Sequence, residues 1–116
     1  MINLPSSLKI FVSTQPADMR RSFDGLAAMV KYILREDPLS GHLFVFRNRK
    51  GDRAKVLFWD KSGFVIWYKR LEKGTFRFPR QAREEGQSLE LSAGELTLLL
   101  EGIDLKGSKR HHKDFF

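Results

Sequence analysis

Residues 43–71, LFVFRNRKGDRAKVLFWDKSGFVIWYKRL, carry the clearest indication of fold class in this chain. They contain three runs rich in β-branched and aromatic residues, separated by two polar segments that end in glycine, NRKG at 48–51 and DKSG at 60–63. Runs of this length joined by glycine turns are typical of antiparallel strands. The stretch therefore predicts a β-meander with strands at 43–47, 53–59 and 64–71.

Side chains alternate between the two faces of a strand, so each predicted strand can be divided into two sets. In the second strand the apolar set is Ala54, Val56 and Phe58, and the mixed set is Arg53, Lys55, Leu57 and Trp59. In the third strand Phe64, Ile66 and Tyr68 oppose Val65, Trp67 and Lys69. We expect the first helix of the chain to cover the apolar face. The mixed face carries Arg53, Lys55, Trp59, Trp67 and Lys69. Its rings could stack on bases while its cations contact phosphates. Alternatively, its tryptophans could pack under the C-terminal segment.

Two helices are predicted on either side of the meander. After a strand at 8–12, apolar residues from Met19 to Leu34 recur at three- and four-residue intervals, which predicts a long amphipathic helix. Pro16 suits its first turn, Asp18 suits its positive end, and it must end before Asp37 and Pro38. Ser92 and Glu95 form a capping-box pattern that predicts a short helix ending at Gly102. Residues 74–79 could form another short strand, and 80–87 are expected to be a mobile loop.

The expected fold class is α+β, as a single domain in which an antiparallel β-meander packs against one long helix, with a short C-terminal helix. A chain of 116 residues suits one domain, which we place at residues 1–105, followed by a flexible basic tail at 106–116. The absence of cysteine fits a reducing compartment. No export signal or membrane-spanning run is recognisable, so a cytoplasmic location and no membrane partner are expected.

Charge is distributed in blocks along the chain, whose net charge is +7. Residues 43–83 carry twelve basic and three acidic side chains, whereas residues 84–105 carry six acidic side chains and no Lys or Arg. A block of this kind can form one positive surface that meets a phosphate backbone, although lysines and arginines also solvate strands and protect sheet edges. The candidate DNA-binding residues are Arg47, Arg49, Lys50, Arg53, Lys55 and Lys69.

No constellation in the sequence predicts catalysis. Asp18, Asp24, Asp52 and Asp60 could in principle form a metal-binding cluster, but each aspartate has a simpler role at a helix start, in a turn or on a solvated helix face. His42 has no visible partner, and His111, His112 and Asp114 in the tail resemble metal ligands only loosely. Phosphate-binding, dinucleotide and serine-nucleophile motifs are absent. We therefore predict a protein that is not an enzyme, with no catalytic residue, no metal and no cofactor.

Several runs together resemble one family. They are PADMRRSFDGL at 16–26, GHLFVFRNRKGD at 41–52, WDKSGF at 59–64, WYKRL at 67–71, FRFP at 76–79 and EGID at 101–104. This sequence resembles the Orf2-like (TnpB) accessory proteins of the insertion-sequence sixty-six family from about Ile10 to Gly102. The RNA-guided nucleases that share the TnpB label have much longer chains and are not similar to it.

The resemblance implies a bacterial mobile DNA element that also encodes another small accessory protein and a larger transposase with the acidic catalytic residues. This chain would be required for transposition without cutting DNA itself, and no site residues follow from the resemblance. Two functions remain open at this point, beside a hidden metal-dependent nuclease that would use Asp18, Asp24 or Asp60. The first is a module that binds DNA at the element ends or target; the second is an adaptor that docks the transposase through residues 84–104 or through the aromatic face, without contacting DNA.

Overall fold

The structure, a computed structural model, describes residues 7–78 and 87–102. It contains five strands and two helices within those residues. In chain order they are β1 Ile10–Ser13, α1 Phe23–Tyr32, β2 Leu43–Arg47, β3 Arg53–Trp59, β4 Phe64–Arg70, β5 Ser88–Leu91 and α2 Ala93–Leu100. The chain is thus an α+β domain built on one sheet.

The five strands form a mixed sheet in the order β4-β3-β2-β1-β5. The meander β2-β3-β4 is antiparallel, and β5 pairs antiparallel with β1. β1 pairs parallel with β2, with Ile10 opposite Leu43 and Val12 opposite Val45. A parallel neighbour requires a crossover connection, and α1 lies in that connection between the two strands.

Each face of the sheet carries its own hydrophobic cluster. On one face, Leu26, Met29 and Val30 of α1 pack with Phe44, Phe46 and Leu57 of β2 and β3. On the other face, Leu96, Leu99 and Leu100 of α2 pack with a set from four strands, namely Ile10, Val12, Leu43, Val45, Ala54, Val56 and Leu91. We call these faces the α1 side and the α2 side.

This arrangement corrects the expected layout in three respects. The sheet is mixed, because β1 joins it in parallel and β5 extends it beyond the predicted meander. Residues 74–78 form no strand; instead the Phe76 amide donates to the Gly51 carbonyl oxygen at 2.8 Å and its ring is buried on the α2 side. The prediction that the first helix covers Ala54 and Val56 is also wrong, since α2 covers them.

The first helix is much shorter than its apolar pattern predicted. It begins at Phe23, whereas residues 16–22 form an irregular segment with a turn at 19–20. The Ala17 amide donates to the Arg47 carbonyl oxygen at 2.8 Å, and the Asp18 carboxylate accepts from the Arg20 amide at 2.9 Å. Because these bonds tie the segment to β2 and to itself, backbone groups there are satisfied without a helix.

The second helix begins and ends as predicted. The Ser92 hydroxyl oxygen accepts from the Glu95 amide at 3.1 Å, and the Glu95 carboxylate accepts from the Ser92 amide at 2.9 Å. This reciprocal capping box satisfies two amides that lack a partner at a helix start. Gly102 follows the helix with a φ of +84°, a left-handed conformation that favours glycine.

No helix among residues 7–78 and 87–102 is long and apolar enough to cross a membrane. The predicted mobile loop, apart from Gln87, and the predicted basic tail lie outside the described residues.

Candidate nucleic-acid interface

The β3-β4 register divides the predicted mixed face between the two sides of the sheet. Lys55 lies opposite Tyr68 and Val56 lies opposite Trp67. Arg53, Lys55 and Trp59 therefore belong to the α1 side, while Trp67 and Lys69 belong to the α2 side. The expectation that all five side chains share one face is wrong, because alternation within each strand does not reveal how two strands are aligned.

The tryptophans have different surroundings. Trp59 packs edge-to-face against Phe64, with ring centroids 5.1 Å apart. Trp67 remains 39% exposed on the α2 side. The two indoles therefore do not form a joint surface for stacking bases.

A groove of about 530 Å³ lies between residues 16–19 and the β2-β3 turn. Three of the candidate cations, Arg49, Lys50 and Arg53, line it. We call this feature the basic groove. Here the structure brings three of the candidates to a shared concave surface.

The shape of the β2-β3 turn is set by the Asn48 side chain. Its amide oxygen accepts from the Gly51 amide at 2.9 Å and from the Arg53 amide at 3.0 Å. Its amide nitrogen donates to the Asp52 carboxylate at 2.7 Å. Gly51 has a φ of +84°, which glycine adopts without strain. The turn is thereby fixed with Arg49 and Lys50 exposed at its tip.

Charge in the turn is only weakly compensated. Lys50 is 81% exposed at its side chain, and its ammonium lies 3.9 Å from the Asp52 carboxylate. The hydrogen bond from Asn48, followed by the charge of Lys50, lowers the pKa of Asp52. Arg49 is exposed and has no hydrogen bond or ion pair with any described residue. A cation without a fixed partner is available to an anionic ligand at little desolvation cost.

The acidic residue of the groove, Asp18, is neutralised by its neighbour Arg20. The guanidinium donates to the carboxylate at 2.6 Å and 3.0 Å. These hydrogen bonds lower the pKa of Asp18 from 3.8 to about 2, so the carboxylate stays ionised and paired. The groove therefore keeps a positive balance despite this acid.

The other three candidates have structural partners. The Lys55 ammonium is buried and donates to the carbonyl oxygens of Met19 at 2.9 Å and Arg21 at 2.8 Å. The Lys69 ammonium donates to the Leu100 carbonyl oxygen at 2.9 Å and so caps α2. The Arg47 guanidinium donates to the Thr14 carbonyl oxygen at 3.4 Å and lies over the Phe78 ring at 5.5 Å. These side chains hold segments together rather than project into the groove.

Residues considered for metal binding are dispersed. Within residues 7–78 and 87–102, no three His, Asp or Glu side chains converge as metal ligands would. Asp24 is exposed in the first turn of α1, and Asp60 is exposed in the β3-β4 turn. His111, His112 and Asp114 lie outside the described residues.

His42, for which the sequence showed no partner, has two in the structure. Its Nδ1 accepts from the Lys9 amide at 3.0 Å, and its ring meets Phe11 edge-on at 6.0 Å. The side chain therefore ties the start of β1 to the residue before β2. Its hydrogen-bond partner is 33 residues away in sequence, which explains why no local pattern indicated it.

Fold and groove together define a small basic α+β domain with a cationic concave surface. The chain belongs to the family described as IS66 Orf2 like protein, whose sequence profile matches residues 8–110. Membership supports an accessory role in the transposition of an insertion sequence.

Two relatives from Sinorhizobium fredii (strain NBRC 101917 / NGR234) are uncharacterized proteins. One, y4jC, is 42% identical over 110 residues, which cover 95% of this chain and 92% of the relative. The other, y4hO, is 40% identical over 103 residues, which cover 87% of each. No solved structure matches the chain.

Proposed function

We propose that this protein is a non-catalytic accessory factor of transposition that binds DNA through the basic groove, at the element ends or the target, within a transposase complex. The observation that carries the proposal is the convergence of Arg49, Lys50 and Arg53 on one groove of about 530 Å³. Phosphates of a DNA backbone are the ligands that such a cluster of cations suits. Family membership and the net charge of +7 support the same function.

We restrict the proposed phosphate contacts to the cations at the groove. Arg49 and Lys50 are exposed, and Arg53 is half-buried with its guanidinium bonded to the Tyr68 hydroxyl. Lys55 and Lys69 donate to backbone carbonyls, so we assign them to the fold rather than to phosphate contacts.

The test is a titration of the purified protein with element-end and random duplexes at several salt concentrations. We expect affinity to fall steeply with salt. The double variant Arg49→Ala/Lys50→Ala should bind more weakly, and its salt slope should be smaller by about one for each phosphate that it no longer neutralises. The matched control is Lys9→Gln/Lys31→Gln, which removes the same charge from exposed positions away from the groove. The control is expected to bind like the original protein.

Equal weakening by both double variants would mean that only net charge matters, and the groove would then have no specific role. If the folded protein bound neither duplex nor single-stranded DNA, the proposed DNA contact would be overturned altogether.

A specific observation also favours the adaptor alternative. Trp67 and Leu98 are exposed on the α2 side, at 39% and 38%, and Glu95 and Glu101 of the same region are exposed. Exposed aromatic and apolar side chains are typical of protein contacts. A pull-down of the element's transposase that fails with Trp67→Ala/Leu98→Ala, but succeeds with Arg49→Ala/Lys50→Ala, would support this alternative.

A further inference from the structure

We propose that the DNA strand held at the basic groove is single-stranded, and that one of its unpaired bases stacks on the ring of Tyr68. This inference rests on the proposed function and names the form of DNA that the same surface takes. Tyr68 did not stand out in the sequence, because its place beside the groove depends on the β3-β4 register.

Tyr68 is an exposed ring fixed in place by two cations. The side chain is 46% exposed on the edge strand β4. The Lys55 ammonium lies 4.7 Å from the ring centroid, and the Arg53 guanidinium donates to the hydroxyl at 3.1 Å. Lys55 is itself held by two carbonyl oxygens, so the ring rests on a rigid support. A ring that is already ordered loses little conformational entropy when a base stacks on it.

A pair of like charges adjoins the ring. Arg53 of β3 lies directly opposite Arg70 of β4, on the same side of the sheet as Tyr68. Like charges directly opposite each other destabilise a strand pair. Among the residues that the structure describes, Arg70 has an ion pair only with Glu72, at 3.1 Å, and both side chains are more than half exposed. A phosphate between the two guanidinium groups would relieve this repulsion.

The stacking ring and the groove share one residue, since Arg53 both lines the groove and bonds Tyr68. A strand whose phosphates lie on Arg49, Lys50 and Arg53 therefore passes the ring. In a duplex each base is stacked between its neighbours, so a protein ring can reach only an unpaired base. The combination of a cationic track with an adjoining aromatic ring fits a single strand better than a duplex.

The experiment measures the binding of three labelled ligands to the full chain by fluorescence anisotropy. They are a thymidine oligonucleotide, an abasic oligonucleotide of the same length, and a duplex. We expect the original protein to bind the thymidine strand most tightly. Tyr68→Ala is expected to weaken binding of that strand about tenfold, in line with base–aromatic stacking in other proteins. Binding of the abasic strand should not change, because it offers no base.

Two further variants separate stacking from a change in the fold. Tyr68→Phe keeps the ring and removes only the bond from Arg53, so it is expected to retain most of the affinity. Tyr32→Ala removes another exposed tyrosine that also lies beside a lysine ammonium, Lys31 at 5.3 Å, at the far end of α1. It is expected to bind like the original protein.

Each adverse result has a distinct meaning. Suppose that Arg49→Ala/Lys50→Ala weakens binding, but Tyr68→Ala weakens binding of the thymidine and abasic strands equally, or of neither. DNA binding then stands and the stacking proposal is overturned. If the duplex binds more tightly than the thymidine strand, the single-strand proposal is also overturned. Failure of the folded protein to bind any of the three ligands rejects the proposed function and this inference together.

Discussion

At the residue scale, lysine and arginine side chains from one basic segment have two different roles. Arg49 and Lys50 are exposed at the tip of a turn, whereas Lys55 and Lys69 donate to backbone carbonyls of segments that pack on opposite sides of the sheet. Burial of an ammonium is costly unless its hydrogen bonds are made, so the two bonds of the buried Lys55 belong to the fold. Lys69 is half-buried, and its bond caps α2. Position in the segment does not distinguish the two roles.

The buried Lys55 allows a direct stability test. Lys55→Met keeps most of the apolar stem but leaves the Met19 and Arg21 carbonyl oxygens without their donor, so we expect the free energy of unfolding to fall by about 1–3 kcal/mol. Chemical denaturation followed by circular dichroism measures it. The exposed Lys31→Met variant is the control and should change by less than about 0.5 kcal/mol. Equal effects of the two variants would contradict a structural role for Lys55.

The Asp18–Arg20 pair makes a prediction about pH. Because the folded pKa of Asp18, about 2, is below its ordinary 3.8, the pair stabilises the fold above pH 3.8 and this contribution disappears as pH falls toward 2. In Arg20→Gln the main cause of the shift is removed, so the pKa of Asp18 should rise toward 3.8. Carboxyl NMR titration of both proteins measures the two values. An unchanged low pKa in the variant would show that Arg20 is not the cause.

At the element scale, the helices differ in what determines their ends. α2 is bounded by local signals, the Ser92–Glu95 capping box and Gly102. α1 has no side-chain cap bond at Ser22, and its start is set by contacts of residues 16–21 with β2 and β3. Local signals are readable from sequence, whereas the contacts that shorten α1 are not. This is why one helix was predicted accurately and the other was predicted too long.

The capping box of α2 should contribute measurable stability. Ser92→Ala removes the oxygen that accepts from the Glu95 amide, and we expect the free energy of unfolding to fall by about 0.5–2 kcal/mol. Thr97→Ala, within the same helix and exposed, is the control. Alanine has the higher helix propensity, so Thr97→Ala should be neutral or slightly stabilising. If Thr97→Ala lowered the free energy of unfolding as much as Ser92→Ala, the result would argue against a stabilising role of the cap.

At the scale of the whole molecule, one sheet separates two hydrophobic clusters. Val30 of α1 belongs to one cluster and Val12 of β1 to the other, and both are fully buried. The clusters share the strands between them, so disruption of either exposes part of the same sheet. A small domain of this kind is expected to unfold in one cooperative transition.

Substitutions in the two clusters are expected to have additive effects on the free energy of unfolding. Val30→Ala and Val12→Ala should each cost about 1–3 kcal/mol, because each removes two buried methyl groups and leaves a cavity. As the residues lie in different clusters, the double variant should equal the sum within about 0.5 kcal/mol. Denaturant titrations of the three variants test this. Two separate transitions, or a coupling above about 1 kcal/mol, would contradict a single sheet shared by independent clusters.

Several features could be predicted from the amino-acid order alone: the limits of β2 and β3, the cap and end of α2, and the concentration of basic residues in the segment that includes the groove. These features depend on side-chain alternation, glycine turns and capping residues, which act between neighbours in the chain. The family resemblance was also readable from the residues, and the profile match confirmed it.

Three other features depend on the folded chain: the parallel insertion of β1 beside β2, the addition of β5, and the side of the sheet on which each cation lies. Strand order and register follow from packing between residues far apart in sequence, and a shift of one residue exchanges the two faces. The β3-β4 register places Tyr68 opposite Lys55 and Arg70 opposite Arg53 on one side of the sheet. It leaves Trp67 and Lys69 on the other side. Local alternation is the same for every possible alignment of β3 and β4, which is why it could not place Tyr68 beside the basic groove.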